Sequence, residues 1–249
     1  MKVTILGSGT ILSDIKRNPS GYVLEHDNKS ALLDCGPGIL HQLDKLKMNV
    51  CDLDCLFISH FHLDHCSDVF ALLMRRYLSD PVSNETFKIF GPTGLNEWYM
   101  KIAGTQGAWL NDRQPKMIEF SSQVIYWHEL EISVCRNGHT ENSISYLLKD
   151  GNKKFFYSSD TDFNTDIIAF AAYSDIAVLE CSYPDENPKP GHLTPSKLAK
   201  IVDLAAIKKT IVTHIYPEND TKDLIQRIKT LSMSDIEIGF DFMQIDLEG

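Results

Sequence analysis

Long apolar runs are missing from this chain. No stretch approaches the roughly 18 consecutive apolar residues that a membrane helix needs, so no membrane span is expected. The opening residues, MKVTILGSGT, read as a strand followed by glycines, without the apolar length or cleavage site of a signal peptide. Paired CxxC motifs are missing as well. The six cysteines are Cys35, Cys51, Cys55, Cys66, Cys135 and Cys181, and Cys51-x3-Cys55 has no partner pair. They read as reduced, mostly buried thiols of a cytoplasmic protein rather than a disulfide set. Basic residues are few: 24 Lys and Arg against 34 Asp and Glu give a net charge of −10. That argues against a sequence-independent grip on nucleic acid, which needs a basic face. No low-complexity segment, tandem repeat or linker interrupts the 249 residues. A chain of this length can bury a core without disulfides or metals to staple it.

What is present is mostly strand. KVTIL, GYVLEH and SALLDCG are strands joined by turns, followed by a helical pattern from Ile39 to Lys47. CLFIS is a short buried strand, Asp68–Leu78 has helical spacing, and FKIFGP is a strand with a Gly-Pro stop. The second half repeats this texture. MIEF, QVIYWHELEISVCR, SISYLLKD and KKFFYSSD read as strands, the last two joined by the turn DGNKK. Asp166–Tyr173 is a short helix and DIAVLECS a buried strand. TPSKLAKIVDLAAI is a helix with Thr194 as N-cap and Pro195 at the first turn. KTIVTHI is a strand, Asp220–Leu231 a helix, and IEIGFDFMQIDL a final strand. Two mixed sheets packed face to face, with helices outside, satisfy that order. The stretch from Ser79 to Pro115, with Trp98, Tyr99 and Trp109, is the least regular and is expected to be a lid or an insertion.

The chemistry concentrates in SHFHLDHC, which follows directly on the apolar run Cys55–Ile58. Strand ends that feed loops are where α/β proteins build sites. His60 and His62, two apart in an extended segment, can grip one ion, and the displaced Asp64 and His65 can grip a second. Further donors lie at other strand ends: His139 after ISVCRNG, Asp160 after KKFFYSS and His214 after KTIVT. His192 lies in the loop GHLTP before a capped helix. His26, at a hairpin strand end, His41, on an early helix, and His128, inside a strand, lack that setting and are expected at the surface or in the core.

HFHLDH followed by His139, Asp160 and His214 resembles the metallo-β-lactamase fold superfamily. The opening ILGSGT and KRNPSGYVLEHDNKSALLDCGPG resemble its ribonuclease Z branch and the small bacterial relatives of that branch. The resemblance implies an αββα sandwich of two mixed β-sheets flanked by helices, as a single hydrolase domain over residues 1–249. It implies two zinc ions, with manganese or iron as substitutes. One ion would be held by His60, His62 and His139, the other by Asp64, His65 and His214, with Asp160 bridging. His192 would be a proton donor or phosphate-binding group, oriented by Glu180. Asp34 would support the ligands from behind. Asp64 would serve the reaction as well as the metal.

Two zinc ions roughly 3.5–4 Å apart can share a hydroxide and stabilise both attacking and leaving oxygens, so a phosphodiester substrate fits best. A lactone, ester or thioester is the alternative. An aspartate at position 160 is similar to the phosphodiesterase, lactonase and glyoxalase side of the superfamily, not to the zinc β-lactamases. The chain departs from ribonuclease Z in three places. Only twenty residues separate His139 from Asp160, which leaves no room there for an RNA-gripping arm. CGPG stands where a Gly-Glu-Gly turn is usual, and THIYPEND lacks Ser-x-Arg-Tyr. Lys16-Arg17-Asn18 is kept. The expected substrate is therefore a small phosphodiester or RNA, and a homodimer is expected from the ribonuclease Z likeness.

Overall fold

Alternation with a period of two decides where each strand faces. The computed structural model describes residues 1–247 except 13, 81–85 and 121–123. The first half contains β1 (Lys2–Gly7), β2 (Gly21–His26), β3 (Lys29–Cys35), α1 (Ile39–Lys45), β4 (Leu53–Phe57), α2 (Leu63–Cys66), α3 (Val69–Ser79), β5 (Lys88–Gly91), α4 (Leu95–Ala103) and β6 (Lys116–Glu119). The second half contains β7 (Ile125–Trp127), β8 (Leu130–Arg136), β9 (Ile144–Asp150), β10 (Lys153–Tyr157), α5 (Thr165–Ala171), β11 (Ile176–Glu180), α6 (Pro195–Ala205), β12 (Lys209–Thr213), α7 (Leu224–Leu231), β13 (Asp235–Ile238) and β14 (Gln244–Asp246).

The strands form two seven-stranded sheets, ordered β14-β1-β2-β3-β4-β5-β6 and β13-β12-β11-β10-β9-β8-β7. Each sheet is antiparallel through its first-formed hairpins and parallel beyond them, with the change at β3 in one and β10 in the other. Odd and even side chains part company accordingly. Cys55 and Phe57 of β4 enter the core between the sheets, while Leu56 enters the core under the helices. On β11 Val178 faces inward and Ala177 and Leu179 face outward. The outer layers close over α1, α3 and α4 on one side and α5, α6 and α7 on the other. On α6, Leu198, Ile201, Val202 and Ala205 recur at helical spacing and form the buried stripe. The αββα arrangement expected from the sequence is the one observed.

Three readings need correction. QVIYWHELEISVCR is not one strand: β7 and β8 are a hairpin, turning where His128 takes a left-handed φ of 42°. His128 is thus in an exposed turn, 2.7 Å from an Asp54 oxygen, and not inside a strand. IEIGFDFMQIDL is two strands in different sheets, because the backbone breaks at Gly239–Phe242 and crosses the sandwich. Within Ser79–Pro115, the described residues include α4, and the aromatic side chains serve packing. Leu95, Trp98, Tyr99, Trp109 and Leu110 pack into the outer core of the first sheet, and residues 81–85 lie outside the described residues. Arg17 of the Lys16-Arg17-Asn18 motif has a fold role: it pairs with Asp220 at 2.8 Å and donates to the Gly239 carbonyl, tying an early loop to the second half.

Candidate metal centre

The site lies beyond the C-terminal ends of the strands, where open α/β sheets leave a crevice between loops. The first sheet supplies His60 and His62 just after β4, and Asp64 and His65 on the single turn of α2. The second sheet supplies His139 after β8, Asp160 after β10 and His214 after β12. The loop carrying the first four is clamped from two sides. A Cβ at Gly36 would stand 2.0 Å from the Asp64 carbonyl, so only glycine lets the CGPG turn pass beneath α2. Phe61, between the two histidines, stacks on Trp98 of α4 with ring centroids 5.4 Å apart and 11° from parallel. Asp34, Ser159 and His214, each at the end of a strand beside the site, have left-handed φ of 58°, 51° and 51°. Such backbone is uncommon outside glycine and is held in place by its surroundings.

Seven side chains expected at the site converge on it. Ligand atoms of His60, His62, His139 and Asp160 lie within 4.8 Å of one another, as do those of Asp64, His65 and His214. Asp160 reaches both groups: its oxygens are 3.2 Å from His65 Nε2 and from His214 Nε2, 3.6 Å from His139 Nε2 and 3.8 Å from His60 Nε2. His26, His41 and His128 stand elsewhere, as expected.

The acceptors behind the imidazoles set their tautomers. His65 Nδ1 is 2.7 Å from Asp34 Oδ2, and His139 Nδ1 is 2.8 Å from the Gly191 carbonyl, so both nitrogens carry the proton. Ser59 gives its one hydroxyl proton to Asp34 and accepts from His60 Nδ1 at 3.0 Å. Ser182 gives its proton to Glu180 and accepts from His214 Nδ1 at 3.0 Å. Four Nε2 lone pairs are therefore aimed inward. His62 offers Nδ1 instead, 3.0 Å from His139 Nε2. His60 Nε2 and Asp160 Oδ1 are buried without a hydrogen-bond partner. His65 Nε2 and His214 Nε2 face each other at 3.3 Å. Converging lone pairs and an orphaned carboxylate oxygen are a cation's surroundings, and this nitrogen and oxygen donor set suits zinc, manganese or iron.

Electrostatics suit a cation directly at His60 and His139, while His65 holds a proton that a bound cation would displace. Burial holds His60 well below the ordinary histidine range, and lowers His139 too, leaving neutral imidazoles of the kind that bind metal. Burial opposes charge on His65 as well, but the Asp160 and Asp34 carboxylates outweigh it and push its pKa well up. Burial likewise resists ionisation of Asp160, yet His214 and His65 keep it well below the carboxylate range. Asp64 is lowered despite burial by its hydrogen bond to His214 and by His65. Asp64 Oδ2 also accepts the Ile11 amide at 3.1 Å.

His192 borders the same space; its ligand atom groups with those of Asp160 and His214. Its Nδ1 is 3.0 Å from Glu180 Oε1. Glu180 is buried and also accepts the amides of Thr161 at 2.7 Å and Leu193 at 3.1 Å. Burial disfavours the charged form of His192, but Glu180 overrides it and raises the pKa to about 9. The pairing of Glu180 with His192 is thus present in the geometry. Asp34 is completely buried and accepts from Ser59, Tyr157 and His65, as the resemblance implied. Sequence reading missed Ser59, Ser159 and Ser182. Ser59 sits beside the motif as its only signal, whereas Ser159 and Ser182 follow strand ends.

A family model described as anti-Pycsar protein Apyc1 matches residues 1–234. The chain belongs to this Apyc1 family. A ribonuclease Z of Brevibacillus brevis is 26% identical, over 90% of this chain and 87% of that protein. The crystal structure of the metallo-β-lactamase fold protein YhfI from Bacillus subtilis superposes with a TM-score of 0.87 at 21% identity, covering 98% of both chains. The short form of human tRNase Z does so with 0.79 at 22%, covering 99% of both. The likeness to the ribonuclease Z branch read from the motifs stands beside the Apyc1 assignment, and the chain is a metal-dependent hydrolase of the metallo-β-lactamase fold. No helix among the described residues is long and apolar enough to cross a membrane.

Proposed function

We propose that this Apyc1-family chain is a single-domain phosphodiesterase, with two divalent cations held at the centre described above and a small phosphodiester as substrate. The observation that carries the reading is the shared position of Asp160 between two donor sets. His60, His62, His139 and Asp160 would hold one ion; Asp64, His65, His214 and Asp160 the other. Zinc is the first choice, with manganese or iron compatible. Bound there, the ions would supply Lewis acidity, lowering the pKa of water towards about 7 and offsetting charge on phosphoryl oxygens.

The chain's own groups supply the rest. Each donor set has four members without His192, which leaves that imidazole free for proton transfer. Glu180 holds its Nδ1–H, so Nε2 faces the reacting group. The attacking water gives one proton to solvent; as its oxygen bonds to phosphorus, the bond to the departing oxygen breaks with its electron pair, and that oxygen takes the His192 proton. Asp34, Ser59 and Ser182 keep the ligand imidazoles in the right tautomer. A small substrate is supported by the compact hairpin of β9 and β10 between His139 and Asp160 and by the net charge of −10. The free cysteines support a cytoplasmic setting. A homodimer belongs to the same reading, supported by the exposed Ile11, Leu12 and Ile15 on the loop that reaches Asp64, and sedimentation tests it.

The test is metal content measured together with turnover of bis(p-nitrophenyl) phosphate, a small RNA, a lactone and a thioester. Two ions per chain with phosphodiester turnover supports the reading; lactone or thioester turnover alone refutes it. His192→Ala should keep both ions and slow turnover by about 10²–10⁴-fold. Loss of an ion would make His192 a ligand.

A further inference from the structure

Two tyrosines stand beside His192 without serving any of the three hydrophobic cores formed by the described residues. Tyr183 follows β11 and Tyr216 follows His214 by two residues. Their rings stack, with centroids 4.5 Å apart and 22° from parallel. His192 and His214 are also close to parallel, at 12° and 5.9 Å. The two pairs meet nearly edge-on. Tyr183 is 5.4 Å from His192 at 66°, and Tyr216 is 6.2 Å from His192 at 76° and 5.8 Å from His214 at 75°. The result is a corner, with imidazole on one wall and phenol on the other. Both tyrosines are only partly buried, so core packing does not account for them.

The corner constrains a substrate. His192 Nδ1 is committed to Glu180, so a group protonated by His192 must lie at Nε2. Whatever organic group the departing oxygen carries emerges next to that atom, and so against the phenol wall. An aliphatic group gains only contact area there. An aromatic ring also gains the offset or edge-to-face attraction of ring quadrupoles.

We propose that Tyr183 and Tyr216 form the subsite for the organic group on the departing oxygen, and that they select groups bearing an aromatic or heteroaromatic ring. The proposal rests on the phosphodiesterase reading and on His192 as proton donor.

The experiment compares two diesters whose departing alcohols have similar acidity, methyl phenyl phosphate and methyl hexafluoroisopropyl phosphate, on the metal-loaded protein. Tyr183→Leu and Tyr216→Leu should raise KM for the phenyl ester by about two- to tenfold. They should leave kcat, bound metal and the KM of the alkyl ester unchanged, and Tyr183→Phe and Tyr216→Phe should behave as the unmodified protein. Equal losses on both esters, Phe variants as impaired as Leu variants, or loss of bound metal would each overturn the subsite while leaving the hydrolase reading intact. An unmodified protein that hydrolyses neither ester would overturn the phosphodiesterase reading and the subsite with it.

Discussion

Replacing Glu180 by Gln tests the proton donor without touching a proposed metal ligand. The Glu180 carboxylate accepts from the Thr161 and Leu193 amides, the Ser182 hydroxyl and His192 Nδ1. All four partners are donors, so whichever way the amide turns, its NH2 meets a donor. The loss of stability is about 1–3 kcal/mol. The larger effect falls on His192. Burial alone would lower its pKa, and Glu180 raises it to about 9. Asp160 and Asp64 raise it further, so without the Glu180 carboxylate the pKa falls towards the ordinary histidine range. A general acid works while protonated, so activity is present below its pKa and lost as pH rises through it. At pH 8 a group with a pKa of about 9 is roughly 90% protonated and one at ~6.5 roughly 3%, so turnover should fall, by about 30-fold where the whole shift is lost. Cations bound nearby push both pKa values down together, so the assay reads their separation. The measurement is kcat against pH across the neutral and alkaline range, for both proteins at equal metal content. The alkaline limb of the variant should lie at lower pH by about one to three units, the loss of one close carboxylate partner. Superimposed limbs would refute the assignment of His192 as the acid and of Glu180 as the group that charges it.

Other expectations follow from the same geometry. His62→Ala should abolish hydrolysis and lower bound metal below two per chain, as measured by elemental analysis; full activity would remove the metal reading. Asp34→Asn turns an amide NH2 towards buried donors from Ser59, Tyr157 and His65. Metal affinity should drop by about 10–100-fold, with about 1–3 kcal/mol lost in a urea titration. Trp98→Ala removes the stack on Phe61, and should cost about 2–3 kcal/mol of stability while leaving KM unchanged. A raised KM with normal stability would place Trp98 on the substrate instead.

Much of the site was legible because its densest part is local. His60, His62, Asp64 and His65 occupy one strand end and one helical turn, so spacing alone announces them. His139, Asp160 and His214 could be placed by their position after apolar strands, although only the family likeness divided them between two ions. The supporting shell was harder to read. Ser59, Ser159 and Ser182 are small polar residues of a kind found throughout any chain, and their meaning depends on a hydroxyl pointing at one imidazole nitrogen. The tyrosine corner joins residues 33 positions apart, in the loops after β11 and β12, and leaves no periodic trace. The misread strands have a common cause. QVIYWHELEISVCR and IEIGFDFMQIDL are rich in β-formers throughout, so propensity runs unbroken across points where the backbone turns. His128 at φ 42° and Phe242 at φ 70° mark those turns, without the Asn-Gly or Asp-Gly signal that would announce them.

The division of the candidate metal ligands between two sheets has a consequence for how the protein comes to life. Neither half-sandwich holds a complete donor set: each contributes fragments that mean nothing chemically until the inner faces meet. Catalytic competence thus needs both inner faces docked through Phe57, Tyr146 and their neighbours, with the Arg17–Asp220 pair joining the rim. On heating or in denaturant, turnover should be lost no later than the helices and strands, as activity and circular dichroism on one sample would show.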